Sequence, residues 1–282
     1  MTVPPLPAVM TEPLVRTALL EDLGRAGDIT TDAIVPQHMA AETALVARQS
    51  GVVAGLDLAL MAFRLIDPSI RAAVERPDGS RIARGDTIAV LKGPAHGMLS
   101  AERVALNFLC HLSGIASATA SVVESVRGHR ARVVCTRKTL PGLRAVQKYA
   151  IRVGGGFNHR FGLDDGVLIK DNHVAAAGSL REAVARARAA IGHLVKLELE
   201  VDTMAQLEES LSLGVDAVLL DNMSLEEMRR AVGLVNGRAL TEASGRITPE
   251  TAPQVAATGV DLLSSGALTH SSRTLDIGLD WR

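Results

Sequence analysis

Residues 160–173 read RFGLDDGVLIKDNH, and the apolar run Val167-Leu168-Ile169 stops directly against Lys170, Asp171, Asn172 and His173. An apolar run of this kind is a buried strand, and four polar side chains at its end place that end in a polar space. The pattern recurs. Strand-like runs at 133–138, 167–170, 195–201, 216–221, 239–242 and 260–264 alternate with SLREAVARARAAIG, DTMAQLEESLSLG, SLEEMRRAVGLVNG and TPETAPQVAATG. Each of these has helical periodicity, a Ser, Asp or Thr before the helix and a glycine after it. Alternation of this kind builds a parallel sheet. Six strands fall short of the eight of a full barrel, so the expected fold is α/β: an N-terminal α+β sandwich domain followed by an open, roughly six-stranded β/α barrel.

The preceding segment, residues 1–114, reads as helix, strands, helix and strands, with ETALVARQSGVVAG and GDTIAVLKG as sheet and LDLALMAFRLID as a helix across it. Met61 and Phe63 are core residues of that helix by spacing. The barrel is expected to span 115–269.

Composition excludes several classes of protein. The 282 residues carry 30 Lys and Arg against 31 Asp and Glu, a net charge of −1. Binding a polynucleotide needs an excess of cations, so no nucleic-acid partner is expected. No apolar run reaches the roughly 18 uninterrupted positions of a membrane span. MTVPPLPAVMTEP lacks the basic start and apolar stretch of a secretion signal. Cys110 and Cys135 both sit in apolar runs and read as reduced core residues, so the expectation is a cytoplasmic protein with no membrane partner.

Charge is nonetheless uneven. Between Arg127 and Lys170 there are ten Lys and Arg but two acids, Asp164 and Asp165. Arg144, Lys148 and Arg152 fall at i, i+4 and i+8 and read either as a solvated helix face or as part of an anion site. The strand ends say more. They carry Thr136-Arg137-Lys138, Lys170-Asp171-Asn172, Glu198-Leu199-Glu200 and Asp221-Asn222, and the last two strands run into TEASG and SSGALTHS. In β/α barrels the functional groups occupy the carboxyl ends of the strands. Small glycine-containing loops let backbone N–H groups approach a phosphate. Ion pairs plugging the barrel are the alternative reading, but a convergent site explains why four successive tips are charged. Cations Arg137, Lys138, Arg160 and Lys170 with acids Glu200 and Asp221 suit a phosphorylated sugar bearing pyrophosphate, with a divalent metal. Gly154-Gly155-Gly156 lacks the lysine and hydroxyl of a P-loop and reads as a helix end with a tight turn. Asp171 and His173 alternate along what reads as an extended run, suited to hydrogen bonding. His96, His111 and His270 show no evident partner, with His270 closing the GALTHS loop.

TRKTLPGLR, GGGFNHRFGLDDGVLIKDNH, LLDN, EASG and GALTHS, in this order, resemble the quinolinate phosphoribosyltransferase (decarboxylating) family, also called nicotinate-nucleotide pyrophosphorylases. EDLGRAGDITTDAIVP and AERVALNFLCHLSGIAS extend the resemblance over nearly the whole chain. It implies transfer of phosphoribosyl from phosphoribosyl pyrophosphate to quinolinate, giving nicotinate mononucleotide, pyrophosphate and CO2, with Mg²⁺ as cofactor. It further implies that Arg137, His159, Arg160 and Lys170, with Arg103 of a neighbouring subunit, surround quinolinate, and that Lys138 contacts substrate. Glu200 and Asp221 match acidic positions near the ribose and metal. Ser244, Gly245, Ser265, Gly266 and Ala267 match the loops around the 5′-phosphate. Lys138, Lys170, Glu200 and Asp221 are the catalytic candidates, and Thr136 and Arg246 complete the substrate-binding set. Arg246 stands where the family often has a second glycine. The resemblance also implies a homodimer with shared active sites, or a higher assembly, with residues 270–282 returning to the N-terminal domain. The rival readings are a phosphate-binding barrel lyase using Lys170 as a Schiff base and a non-catalytic ligand-binding barrel.

Overall fold

Apolar alternation and helix-stop chemistry divide the chain into short elements, and the computed structural model describes them over residues 3–282. In chain order they are α1 (Ala8–Leu23), α2 (Ile29–Ile34), β1 (Ala40–Ala47), β2 (Gly51–Val52), α3 (Leu56–Ile66), β3 (Arg71–Val74), β4 (Arg81–Ile82), β5 (Thr87–Pro94) and α4 (Ala95–Ser125). There follow β6 (Arg132–Val134), α5 (Arg144–Val153), β7 (Val167–Ile169), α6 (Asp171–Ala177), α7 (Leu180–Ala190), β8 (Leu197–Val201), α8 (Met204–Ser212), β9 (Ala217–Leu220) and α9 (Leu225–Val235). The last are β10 (Leu240–Ser244), α10 (Ala252–Ala256), β11 (Leu262–Ser264), α11 (Ala267–His270) and β12 (Ile277–Trp281). They gather into two compact units. One holds the chain up to Ala120 with Leu140–Gly155 and Ser271–Arg282; the other holds Ser121–Thr139 and Gly156–His270.

In the first unit an antiparallel sheet runs in the order β12-β1-β5-β3. Helix α3 buries Leu56, Leu58, Ala59, Leu60, Ala62 and Phe63, whereas Met61 is half-exposed. The Asp78 carboxylate accepts from the Gly55 and Leu56 N–H groups at the start of α3 and from the Tyr149 hydroxyl at 2.8 Å. By length and apolarity α4 could cross a membrane. Its Met98, Leu109, Leu112 and Ile115 are fully buried in the fold, however, as in a core helix.

The second unit is the open β/α barrel, with six parallel strands in the order β6-β11-β10-β9-β8-β7. Consecutive β6 and β7 form the two edges, and a single bridge from Val134 to Phe157 extends the β6 edge. Side-chain caps start the outer helices where the sequence places them: Ser179 for α7, and capping boxes Thr203–Gln206 for α8 and Ser224–Glu227 for α9. Helix α10 is shorter than its periodicity predicts, because Thr248 and Thr251 bond one another in a turn before it.

Two helical glycines make opposite predictions. A Cβ on Gly114 of α4 would lie 2.1 Å from the Arg273 carbonyl oxygen, whereas one on Gly233 of α9 would meet nothing within 4 Å. Alanine gains about 1 kcal/mol over glycine in a helix interior, but forcing atoms into a packed site costs about 1–3 kcal/mol. Denaturant midpoints should therefore show Gly233→Ala stabilised and Gly114→Ala destabilised.

Candidate active site

Side chains alternate along a strand, so Glu198 and Glu200 of β8 share one face, as do Glu242 and Ser244 of β10. At the carboxyl ends of the barrel strands a cleft of about 400 Å³ opens. Thr136, Arg137 and Lys138 line it beyond β6, His159 and Arg160 beyond the Phe157 bridge, and Lys170 beyond β7. Glu200, Asp221, Glu242, Ser244 and Ser264 enter it from β8 to β11, with Leu168 and Leu219 as its apolar wall. In the first unit a larger cavity of about 570 Å³ is lined by Leu14, Val104, Phe108, Leu140 and Leu143 among others, without converging cations.

The cleft is crowded with cations, and the fold secures several of them. The Lys170 ammonium lies 2.6 Å from Glu200. The Arg160 guanidinium donates to the Gly166 carbonyl at 2.8 Å. Burial, then the neighbouring Arg137 guanidinium, lowers the pKa of Arg160, against the opposing charges of Glu198 and Asp165. The Lys138 backbone is pinned twice: its N–H donates to Thr136 Oγ1 at 3.0 Å and its carbonyl accepts from the Thr269 hydroxyl at 2.8 Å. Gly266 leaves room for this lysine, since a Cβ there would sit 2.8 Å from Lys138 Cδ and 3.2 Å from Thr136 Oγ1 and displace the Lys138 side chain.

Below this rim lies a second polar layer. His159 Nε2 is 2.9 Å from Glu198 Oε2 and 3.7 Å from Glu242 Oε2, and the Glu242 side chain is 1% exposed. Neither Glu242 oxygen accepts a well-formed hydrogen bond. Burial, then the Glu198 charge, pushes the Glu242 carboxyl up to about 7. Ligand atoms of the three residues lie within 4.8 Å of one another. Glu200 and Asp221 instead present carboxylates from adjacent strands to the open cleft, the donor type that Mg²⁺ shares with substrate phosphates and water.

The model of the quinolinate phosphoribosyl transferase N-terminal domain matches residues 28–113, and that of the C-terminal domain matches residues 115–280. The chain belongs to the quinolinate phosphoribosyltransferase family. It is 47% identical over 271 residues to the nicotinate-nucleotide pyrophosphorylase [carboxylating] of Mycobacterium leprae, covering 94% of this chain and 95% of that one. It is 44% identical over 261 residues to the probable enzyme of that name in Bacillus subtilis, covering 93% and 90%. Among solved structures, NadC from Streptococcus pyogenes superposes with a TM-score of 0.94 at 42% identity, covering 99% of each chain.

Of the residues that the family resemblance singles out, Thr136, Arg137, Lys138, His159, Arg160, Lys170, Glu200, Asp221 and Ser244 line the one cleft. Gly245 holds φ +102°, a conformation open to glycine, and exposed Arg246 follows in the left-handed region at φ +45°. Ser265 is buried, with its N–H on the Val134 carbonyl and its hydroxyl on the Ile247 carbonyl, so those groups secure the loop; Gly266 and Ala267 follow it. Arg103 lies exposed on α4 in the first unit. Several local readings change. Residues 171–177 form helix α6, not an extended run, because His173 Nδ1 accepts the Lys170 N–H at 3.0 Å and caps it. Lys148 is 2% exposed, so 144–152 is no solvated basic face, although Arg152 is exposed. His111 pairs with Gln147 at 2.8 Å and His96 with Asp32 at 3.0 Å. Glu242 escaped the sequence reading; the signal for it was a carboxylate inside an otherwise buried strand.

Glu242 makes the fold sensitive to pH. A carboxyl whose folded-state pKa is raised contributes its full stability below the ordinary value of 4.5 and loses it as pH rises through the folded value. Between about pH 5 and about 8 the protein should lose on the order of 1–3 kcal/mol of stability that Glu242→Gln retains. Parallel pH titrations of the denaturant midpoint check this; identical curves would contradict it.

Proposed function

We propose that the chain transfers the phosphoribosyl group of phosphoribosyl pyrophosphate to quinolinate, releasing pyrophosphate and CO2 and giving nicotinate mononucleotide for NAD biosynthesis. The observation that carries this reading is the convergence of Arg137, Lys138, Arg160 and Lys170 with Glu200 and Asp221 in one cleft at the strand ends of the family's barrel. Quinolinate bears two adjacent carboxylates, and planar guanidiniums pair with carboxylates bidentately. Arg137 and Arg160 supply those forks, Lys170 a point charge, and Arg103 of the partner subunit a further cation in a homodimer. Ser244, Gly245, Gly266 and Ala267 serve the 5′-phosphate, and Lys138 faces the pyrophosphate end. A cytoplasmic location accompanies this reading.

As pyrophosphate departs, positive charge grows on the ribose, and Glu200 and Asp221 stabilise it from adjacent strands. The same two carboxylates would hold Mg²⁺, which neutralises phosphate charge when bound. The pyridine nitrogen forms the bond to the anomeric carbon as the bond to pyrophosphate breaks. The nitrogen is then quaternary, so the electron pair left at C2 by CO2 lies beside a positive charge until a proton replaces it. For this step the protein supplies mainly placement. The lyase reading is disfavoured by the substrate, which offers no ketone, and by the 2.6 Å pairing of Lys170 with Glu200, which occupies the nitrogen that a Schiff base would use.

Purified protein incubated with quinolinate, phosphoribosyl pyrophosphate and Mg²⁺ should form nicotinate mononucleotide and CO2 in equal amounts. Nicotinate should be used at least about a hundredfold less well, because arginines lacking one carboxylate partner stay unsatisfied. Asp221→Ala should weaken the Mg²⁺ response and the use of phosphoribosyl pyrophosphate more than it weakens quinolinate binding. Equal turnover of the two pyridines, or borohydride trapping of Lys170, would overturn the reading.

A further inference from the structure

His159 lies deep in the cleft beside two carboxylates, an environment that would ordinarily favour an imidazolium. Its other ring nitrogen points elsewhere. Nδ1 accepts the backbone N–H of Arg160 at 2.8 Å. A nitrogen that accepts an N–H carries no proton of its own, so the hydrogen-bond network assigns the ring proton to Nε2, 2.9 Å from Glu198 Oε2. An imidazolium would aim a second N–H at the Arg160 amide.

The ring is thus a link between a buried carboxylate pair and the main chain that carries Arg160. Glu198 and Glu242 stand on neighbouring sides, with side chains 11% and 1% exposed. At the far end the Arg160 guanidinium is secured to the Gly166 carbonyl. With the His159 ring turned away, the Arg160 amide loses its acceptor and the guanidinium its fixed base.

We propose that His159 acts as a neutral positioning residue: Glu198, backed by Glu242, holds its Nε2–H, and its Nδ1 fixes the backbone of Arg160. Substrate carboxylates are then met by Arg137, Arg160 and Lys170 and not by an imidazolium. This rests on the quinolinate reading for its consequence in catalysis but not for the state of the ring. Glu198 and Glu242 become positioning residues for the site, and their burial is explained by the ring they orient.

The direct test is ¹⁵N NMR of histidine-labelled full-length protein, with the His159 signals identified by their loss in His159→Asn. The wild-type ring should show the neutral Nε2–H pattern from about pH 6 to about 8, with and without quinolinate. An imidazolium pattern, or protonation when quinolinate is added, would overturn the proposal whether or not the chain turns over quinolinate. So would a divalent metal copurifying at one per chain and lost in Glu242→Gln, since the carboxyls would then be ligands. In kinetics, His159→Asn keeps an acceptor near Nδ1 and carries no charge, so kcat/KM for quinolinate should fall by about tenfold, the loss of one hydrogen bond. His159→Ala should fall further, by about a hundredfold, through the quinolinate KM. Equal losses in the two variants would show that the acceptor is irrelevant and the proposal wrong.

Discussion

Repulsion between like charges is the constraint around which the barrel's open end is built. Arg137, Lys138, Arg160 and Lys170 converge on one cleft, and burial, then the Arg137 guanidinium, lowers the pKa of Arg160. Held together without a ligand, such groups destabilise one another, and burial strengthens the effect by lowering the local dielectric. The fold restrains three of them: the Lys170 ammonium by Glu200, the Arg160 guanidinium by a carbonyl, and the Lys138 main chain by bonds to Thr136 and Thr269. A ligand carrying several negative charges relieves the remaining strain, which is why the cleft suits a dicarboxylate and a pyrophosphate together.

The barrel supplies rigidity for this arrangement through its layers. The rim carries the groups that face substrate, and the layer beneath, Glu198, Glu242 and His159, sets the backbone from which Arg160 projects. Unpaired buried carboxyls are costly. Their retention inside a six-stranded barrel, where leucine or valine would pack as well, is explained by the work of orientation.

Much of this was legible in the sequence because strand ends announce themselves. All six barrel strands fall within or across the apolar runs read for them, and the polar tips become the cleft wall. Strands β6 and β7 are shorter than their runs at the polar end, since Lys138 and Lys170 leave the ladder to enter the cleft, whereas β10 runs on to Ser244. What stayed hidden depends on tertiary burial. Lys148 looks like a solvated charge in one dimension, and only packing makes it interior; Glu242, in contrast, sits within a strand whose burial could have flagged it. Helix α6 was missed because its first turn is capped by His173 reaching back to Lys170, a contact that resembles alternation when read linearly. Helix α5 groups with the first unit although its sequence lies between two barrel strands, through contacts far apart in the chain.

The central claim is that crowded cations await a doubly charged pyridine, and thermal unfolding with ligand alone tests it most directly. A ligand that binds the native state raises the midpoint in proportion to its affinity, and exposed charge contributions shrink with salt. Quinolinate, without phosphoribosyl pyrophosphate, should raise the midpoint by several degrees more than nicotinate at the same concentration, with the difference narrowing as salt is added. Equal shifts for the two ligands, or a quinolinate shift indifferent to salt, would contradict the account.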